Sequence, residues 1–405
     1  MKILLLCNKP PYPASEGGPM AMNSIITGLL EAGHQVKILA VNSEKYNVKE
    51  SDIPEAYKQK TSIELINVDL TVKPLNAFLN LFTRKSYHVE RFISKEFRER
   101  LIEVLEKEQF DVVQLEMLYM TPYIEDIRAH SKAMIVLRAH NVEHKIWERI
   151  AKETKFFIKR WYINYLARTL KEYELNILEA VDGIAAITRK DAAFFRKYCS
   201  KPIIDIPYGV YPEEFTPKSE IEGKPKFYHI GSMNWMPNEE GIRWFIDEVL
   251  TKTVEKVPEF VYHLAGRNMP EWLTSLKNPN VDVIGEVPDA KEFVSNHDVA
   301  IVPLLSGSGI RIKIIESMAL GKTVITTRVG AEGILYDEEV NIIIAENKAK
   351  MVEAIRSINE NPKIAEKIGQ EARKLVESTY DNRKIIARLL MFYEQLKPGS
   401  KITFL

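Results

Sequence analysis

The stretch Ser306-Gly-Ser-Gly-Ile-Arg-Ile-Lys-Ile-Ile-Glu-Ser-Met-Ala-Leu-Gly-Lys322 sets two cations and a carboxylate beside a glycine-rich turn. An apolar run from Val299 to Leu304 leads into it, and helical spacing follows as far as Gly321. A strand–loop–helix of this kind aims free backbone N–H groups and the positive end of a helix dipole at one point. Arg311 at the helix start and Lys313 in its first turn would add two full positive charges there. Glu316 follows Lys313 by three residues and so shares its helix face. The pattern suits a diphosphate at the helix mouth, with a sugar hydroxyl held one turn further in. The same spacing also fits an ordinary surface helix with Ile310, Ile314, Ile315 and Met318 inward, so the surrounding loops must decide.

Those loops depend on the elements that carry them. Short apolar runs at 2–8, 36–42, 63–69, 111–116, 133–139, 183–188 and 203–207 read as strands of a parallel sheet covered on both faces. Helical patterns lie between them at 20–32, 95–108, 142–178 and 189–198, with a less regular, partly helical excursion at 74–91. After the Pro/Gly/charged stretch 217–225 the rhythm restarts, with strands expected at 226–230, 260–264, 281–286, 299–304, 323–328 and 341–345. The expected fold class is α/β, with two Rossmann-like doubly wound parallel-sheet domains facing a cleft. They would comprise residues 1–208, with a helix at about 381–405 returning to them, and residues 209–380.

Ligands of such sheets bind beyond the carboxyl ends of the strands. In the second half these ends carry Gly231-Ser232-Met-Asn234, Ala265-Gly-Arg267, Gly285-Glu-Val287 and the loop holding Ser308, Gly309 and Ile310. Four glycine-containing loops at one sheet edge favour the nucleotide reading over packing. In the first half, Gly17-Gly18 before a helix would let backbone approach an anion or an acceptor, a tight βα turn being the alternative. The loop is not G-x-G-x-x-G, so a nicotinamide fingerprint is absent.

His140-Asn-Val-Glu-His144 matches an inverted zinc-protease string, but that chemistry needs both histidines on one helix face and His140 closes a strand. His140 is expected to point into the cleft, a buried structural histidine being the alternative; His144 begins the next helix. The basic aromatic run Lys155-Phe-Phe-Ile-Lys-Arg-Trp-Tyr-Ile-Asn-Tyr165 could dip into a membrane surface. A helix packed between layers is the preferred reading.

A chain of 405 residues has room for two domains, and 45% hydrophobic with 28% charged residues is a globular composition. Zero formal net charge argues against a nucleic-acid partner. Two isolated cysteines, Cys7 and Cys199, suit a reducing compartment. The first apolar run is too short for a signal-peptide core, and no run of about 20 apolar residues suggests a spanning helix. A cytoplasmic protein is expected, with weak peripheral contact of its first half at the inner face of a membrane.

With these pieces in hand, the chain resembles the GT-B glycosyltransferases of the large retaining family called GT4 or glycosyl transferase group 1. The resemblance is strongest from Tyr228 to Gly333. It rests on Gly231-Ser-Met-Asn-Trp235, Ala265-Gly-Arg-Asn268, Gly309-Ile-Arg311-Ile-Lys313-Ile-Ile-Glu316 and Thr323-Val-Ile-Thr-Thr-Arg-Val-Gly330-Ala-Glu-Gly333. It implies that Glu316 is the second carboxylate of an E-x7-E element and grips the nucleotide ribose; Ser308 stands where the first carboxylate is usual. Gly231-Ser-Met-Asn lacks the arginine of many members, and Tyr208 replaces a usual asparagine. Members without that arginine carry Arg-x-Lys before the glutamate, which gives the phosphate role to Arg311 and Lys313.

The resemblance further implies transfer, with retention, from a UDP- or GDP-linked sugar to a glycan or lipid-linked acceptor in bacterial surface polysaccharide synthesis. The departing phosphate would act as base and His140 would orient sugar or acceptor. No resident cofactor and no metal are implied, and no Asp-x-Asp pair is present. A sugar-nucleotide epimerase on the same fold and a non-catalytic nucleotide-sugar binder are the alternatives. The epimerase would need acid/base carboxylates around the sugar, and the informative loops show none.

Overall fold

The computed structural model describes residues 1–218, 220–307 and 309–400, with residues 76–78 given by backbone alone. The chain divides into two compact units: Met1–Tyr208 with the C-terminal stretch beginning at Asn382, and Gly209–Asp381. In the first, seven strands form one parallel sheet in the order β3-β2-β1-β4-β5-β6-β7. They are β1 (Lys2–Cys7), β2 (Gln35–Asn42), β3 (Glu64–Asn67), β4 (Val112–Glu116), β5 (Met134–Ala139), β6 (Gly183–Ala186) and β7 (Ile203–Asp205).

The apolar runs are continuous because both faces of the sheet are covered. Leu4 and Leu6 pack with Phe97 and Leu101 on one face, whereas Ile3, Leu5 and Cys7 meet Met22, Ile25, Ile385 and Leu389 on the other. Each such side chain contributes roughly 1.5–3 kcal/mol on burial. The second layer pairs α1 (Gly17–Glu31) with the helix Asn382–Leu396. Ser24 Oγ donates to Asn382 Oδ1 (2.9 Å), and Asn382 Nδ2 donates to the Ser24 carbonyl (2.9 Å).

Two helical expectations need correction. The first helix begins at Gly17 with Glu16 as its extended N-cap, so Gly17 and Gly18 form the first turn instead of preceding it. Pro19 fits there because first-turn N–H groups have no helical partner to lose. The long helix expected at 142–178 is two: α2 (Glu143–Glu153) and α3 (Phe157–Ile177). Thr154 and Phe156 are extended between them, and Thr154 Oγ1 returns to the Ile150 carbonyl (2.7 Å), a local bond that competes with helix continuation.

The break turns the start of α3 outward. Phe156, Phe157, Ile158 and Trp161 are exposed, and burial begins only at Ile163. The preferred packing of the run 155–165 therefore fails over its first half. No helix among the described residues is long and apolar enough to cross a membrane.

The second unit is a parallel sheet in the order β10-β9-β8-β11-β12-β13. Its strands are β8 (Phe227–Ile230), β9 (Tyr262–Ala265), β10 (Val281–Gly285), β11 (Val299–Val302), β12 (Thr323–Thr326) and β13 (Ile343–Ile344). An aromatic group of Phe227, Phe245, Phe260 and Tyr262 fills one face, the rings of Phe245 and Tyr262 lying 4.5 Å apart between centroids. Each sheet reverses its strand order once, between β1 and β4 in the first and between β8 and β11 in the second. A crevice opens at such reversals, beyond the carboxyl ends of the strands.

Candidate functional site

The reversal in the second sheet is built from loops tied to one another by backbone. Gly231 N–H donates to the Ala265 carbonyl (3.0 Å), Gly266 N–H to the Gly285 carbonyl (2.7 Å) and Met233 N–H to the Arg267 carbonyl (2.9 Å). Gly266 has φ +146°, and a Cβ there would lie 1.8 Å from the Gly231 carbonyl oxygen, so only glycine serves. A Cβ on Gly231 would lie 2.4 Å from Lys313 Nζ. That missing methyl is the space in which the lysine head sits.

Lys313 belongs to the first turn of α5 (Ile312–Ala319), which follows α4 (Met236–Trp244) in the chain. Its Nζ donates to Asn238 Oδ1 (2.8 Å) and lies 3.1 Å from His229 Nε2. His229 Nδ1 is 2.9 Å from the Ile301 carbonyl, so Nδ1 carries the proton and Nε2 accepts from the lysine. Burial and the Lys313 charge hold His229 well below its usual range and keep it neutral. Burial, then the neighbouring Arg311 charge, brings Lys313 down to about 7. The expected second full charge is therefore only partial at neutral pH, a correction that follows from burial and from the like charge of Arg311.

Arg311, the N-cap of α5, is buried. Its Nη1 donates to the Gly309 carbonyl and its Nη2 to the Val329 carbonyl (3.4 Å), and the guanidinium lies 5.2 Å from the Trp235 ring centroid. Within α5, Lys313 and Glu316 are the only positions not fully buried, so they share the open face of the helix. Ser232 Oγ donates to Asn234 Oδ1 (2.8 Å) and accepts from Asn268 Nδ2 (3.2 Å), while Asn238 Nδ2 donates to the Ser232 carbonyl (2.8 Å). Arg267 is exposed, Val287 and Ile310 half-buried, and Ser308 lies outside the described residues. Val287 sits past β10, two strands from β8, and is the most remote of the set.

This arrangement fixes a pH dependence. An anion beside Lys313 favours its charged form, so binding takes up a proton whenever pH exceeds about 7. Affinity for a nucleoside diphosphate should be full below that value and fall above it, by up to about tenfold per pH unit until the bound-state value is reached. Calorimetric titration of UDP from about pH 6 to 9 in buffers of differing ionisation heat reads both the affinity and the proton. A flat affinity with no proton uptake would remove Lys313 from the anion's surroundings.

A second polar cluster occupies the reversal in the first sheet, where register aligns Cys7 with Glu116 and Glu116 with Arg138. His140 Nε2 lies 2.7 Å from Glu116 Oε2, and Arg138 Nη1 donates to the same oxygen (3.3 Å) and to the Ala21 carbonyl of α1 (3.3 Å). Gln114 Nε2 donates to Glu116 Oε1 (2.6 Å), and the Tyr393 hydroxyl donates to Gln114. Burial raises the Glu116 carboxyl, but Arg138 and His140 overcome it and the net shift is downward. Burial lowers His140, against the Glu116 hydrogen bond, so the ring is neutral with its proton on Nε2.

Beside it, Glu143 opens α2. Its carboxylate accepts from the Tyr119 hydroxyl (2.8 Å) and from Asn141 Nδ2 (3.3 Å). Burial and the nearby Glu174 charge push it up to about 7. Glu174, on α3, caps α2 by accepting from the Glu143 and His144 backbone N–H groups (2.9 and 3.1 Å) and lies 2.5 Å from His144 Nδ1. His144 is thus a buried partner of Glu174, not merely a helix start. Lys9 Nζ is 2.9 Å from the point a Cβ on Gly18 would occupy, so a cation covers the turn that holds Gly17 and Gly18.

The sequence reading missed Glu116, Arg138, Glu143, Glu174 and Lys9 in the first unit, and His229 in the second. A usable signal existed: charged residues at or beside the ends of mostly apolar strands, Glu116 closing Val-Val-Gln-Leu-Glu and Arg138 next to last in Met-Ile-Val-Leu-Arg-Ala. Among the described residues no group of three or more His, Cys, Asp or Glu side chains is placed to hold a metal ion.

Residues 224–361 match the family model described as Glycosyl transferases group 1. An uncharacterized 44.6 kDa protein in the cps region of Klebsiella pneumoniae is 22% identical over 400 residues, covering 96% of this chain and 98% of that one. Sucrose-phosphate synthase from Thermosynechococcus elongatus superposes with a TM-score of 0.71 at 15% identity, covering 98% of this chain and 99% of that chain. Anabaena HepE, in complex with UDP, superposes with a TM-score of 0.65 at 12% identity, covering 97% and 99%. The two parallel-sheet units and these likenesses give the fold as GT-B.

Proposed function

We propose that this protein is a glycosyltransferase that moves a hexosyl unit, with retention, from a UDP- or GDP-linked sugar to a glycan or lipid-linked acceptor. The observation that carries the reading is the pair Arg311 and Lys313 at the mouth of α5, at the strand-order reversal and inside the matched stretch 224–361. The second unit, 209–380, takes the donor and the first unit, 1–208 with the returning helix, takes the acceptor. As the anomeric bond breaks, negative charge gathers on the diphosphate. Arg311, Lys313 and the loop N–H groups meet it in a fixed arrangement that needs no rearrangement during the step. Glu316, on the open face one turn on, holds the ribose. We assign the charge-stabilising role to these side chains and none to a divalent ion or cofactor.

We assign His140, buried with its Nε2 committed to Glu116, the orienting of a hydroxyl through Nδ1. HepE in complex with UDP supports a nucleotide-linked donor, and the cps-region relative is compatible with the role we assign in surface polysaccharide assembly, on the cytoplasmic side. Thermal-shift titration with UDP, GDP and their sugars tests the reading. The matching nucleotide at 100-fold over its Kd should add about 2.7 kcal/mol of stability, and no shift from any of them would end the proposal.

One observation favours a second reading. Glu143, poised near 7 against Tyr119, is a proton carrier of the kind a sugar-nucleotide epimerase needs. Incubating the donor without acceptor separates the two, because only the epimerase alters the sugar.

A further inference from the structure

We infer that the first unit docks on an anionic lipid surface through the start of α3 and the segment around the short helix Pro74–Asn80. Phe157 and Trp161 lie four residues apart and are 73% and 60% exposed, with Ile158 beside them. Trp161 stacks on Tyr165, and the Tyr165 hydroxyl donates to the Asn80 carbonyl (3.0 Å). That bond brings the second segment alongside, where Leu75, Leu79 and Phe82 are 68%, 52% and 75% exposed. Large apolar side chains grouped this way on a water-facing surface mark an interaction site.

The charges choose the occupant. From Thr154 to Lys171 the chain carries Lys155, Lys159, Arg160, Arg168 and Lys171 and no acid; from Leu70 to Val89 it carries Lys73, Arg84 and Lys85 and no acid. Lys73 pairs with Asp69 and Lys85 approaches Glu90 (3.7 Å), but no acidic partner is present for Arg84, Lys155 or Lys159 among the described residues. Aromatic and aliphatic tips flanked in the chain by cations, several without an acidic partner among the described residues, fit a leaflet of acidic headgroups, the tips entering the acyl boundary and the cations staying at the phosphates. Neither signal alone gives stable attachment, whereas the two together do. The inference stands apart from the proposed transfer reaction, since it uses none of the residues assigned to it.

The test is co-sedimentation of the full chain with vesicles of phosphatidylcholine, with and without about 30% phosphatidylglycerol. Binding is expected on the acidic vesicles only, and should be lost at about 0.5 M salt as screening shortens the reach of the cations. The double variant Phe157→Ser/Trp161→Ser, altered at exposed positions and checked for an unchanged melting curve, should bind about tenfold more weakly. Lys155→Glu/Lys159→Glu should do the same by charge alone. Equal binding by both variants, or no binding of the wild type to acidic vesicles, would overturn the inference. So would self-association of the wild type in solution that the Phe157/Trp161 variant abolishes, because a second copy would then be the occupant.

Discussion

Replacing Arg311 by alanine is expected to lower sugar transfer about 100-fold or more while the protein still folds cooperatively. The guanidinium is held on three sides, by the Gly309 and Val329 carbonyls and the Trp235 ring, before any substrate arrives. A donor fixed in advance stabilises charge that develops during the reaction, which is why its loss falls on turnover. Lys313, seated against Asn238 and His229, does not replace the planar guanidinium and its two carbonyl bonds. Removing Arg311 should in fact let Lys313 rise, so the residual activity of Arg311→Ala should tolerate higher pH than the wild type. Arg311→Lys should recover little, because an ammonium cannot span the two carbonyls as the planar guanidinium does. The measurement is turnover at saturating donor across pH, with a melting curve for each variant. Near-normal turnover by folded Arg311→Ala would take the diphosphate away from this helix mouth.

The reason Arg311 could be singled out from sequence is that its neighbourhood is local. Strand, glycine turn and helix start lie within about a dozen residues, and their geometry follows from short-range rules. The strands were equally legible, because a sheet covered on both faces leaves apolar runs such as Ile3 to Cys7 with no polar interruption. What depended on distant contacts was not. Lys313 loses part of its charge to burial in a seat built by His229 and Asn238, 84 and 75 residues away in the chain, and no local pattern announces that seat. Glu116 ends β4 and Arg138 lies one residue before the end of β5, and only the β4–β5 register makes them neighbours. The outward turn of Phe157 and Trp161 was hidden for another reason. Periodicity reports which residues share a face, not whether that face meets protein or water, and the break at Thr154 decided it.

The Glu116 cluster carries the largest expected effect on stability. Glu116 and Arg138 are both fully buried, and Nε and Nη2 of the arginine have no hydrogen-bond partner among the described residues. The carboxylate is thus the main compensation for that charge. Glu116→Ala should therefore cost about 3–5 kcal/mol, because it strands the guanidinium in a dry interior instead of merely deleting a favourable pair. The joint change Glu116→Leu/Arg138→Met should restore most of that loss, since apolar side chains of similar volume often replace a buried ion pair without penalty. Denaturant unfolding of both variants measures the difference. A loss under about 1 kcal/mol in Glu116→Ala would show that Arg138 is not charged and dry as the register implies. Transfer by the folded double variant then separates support from chemistry. If Glu116 serves to fix the His140 tautomer, turnover falls although stability has returned; if the cluster is packing alone, the two recover together.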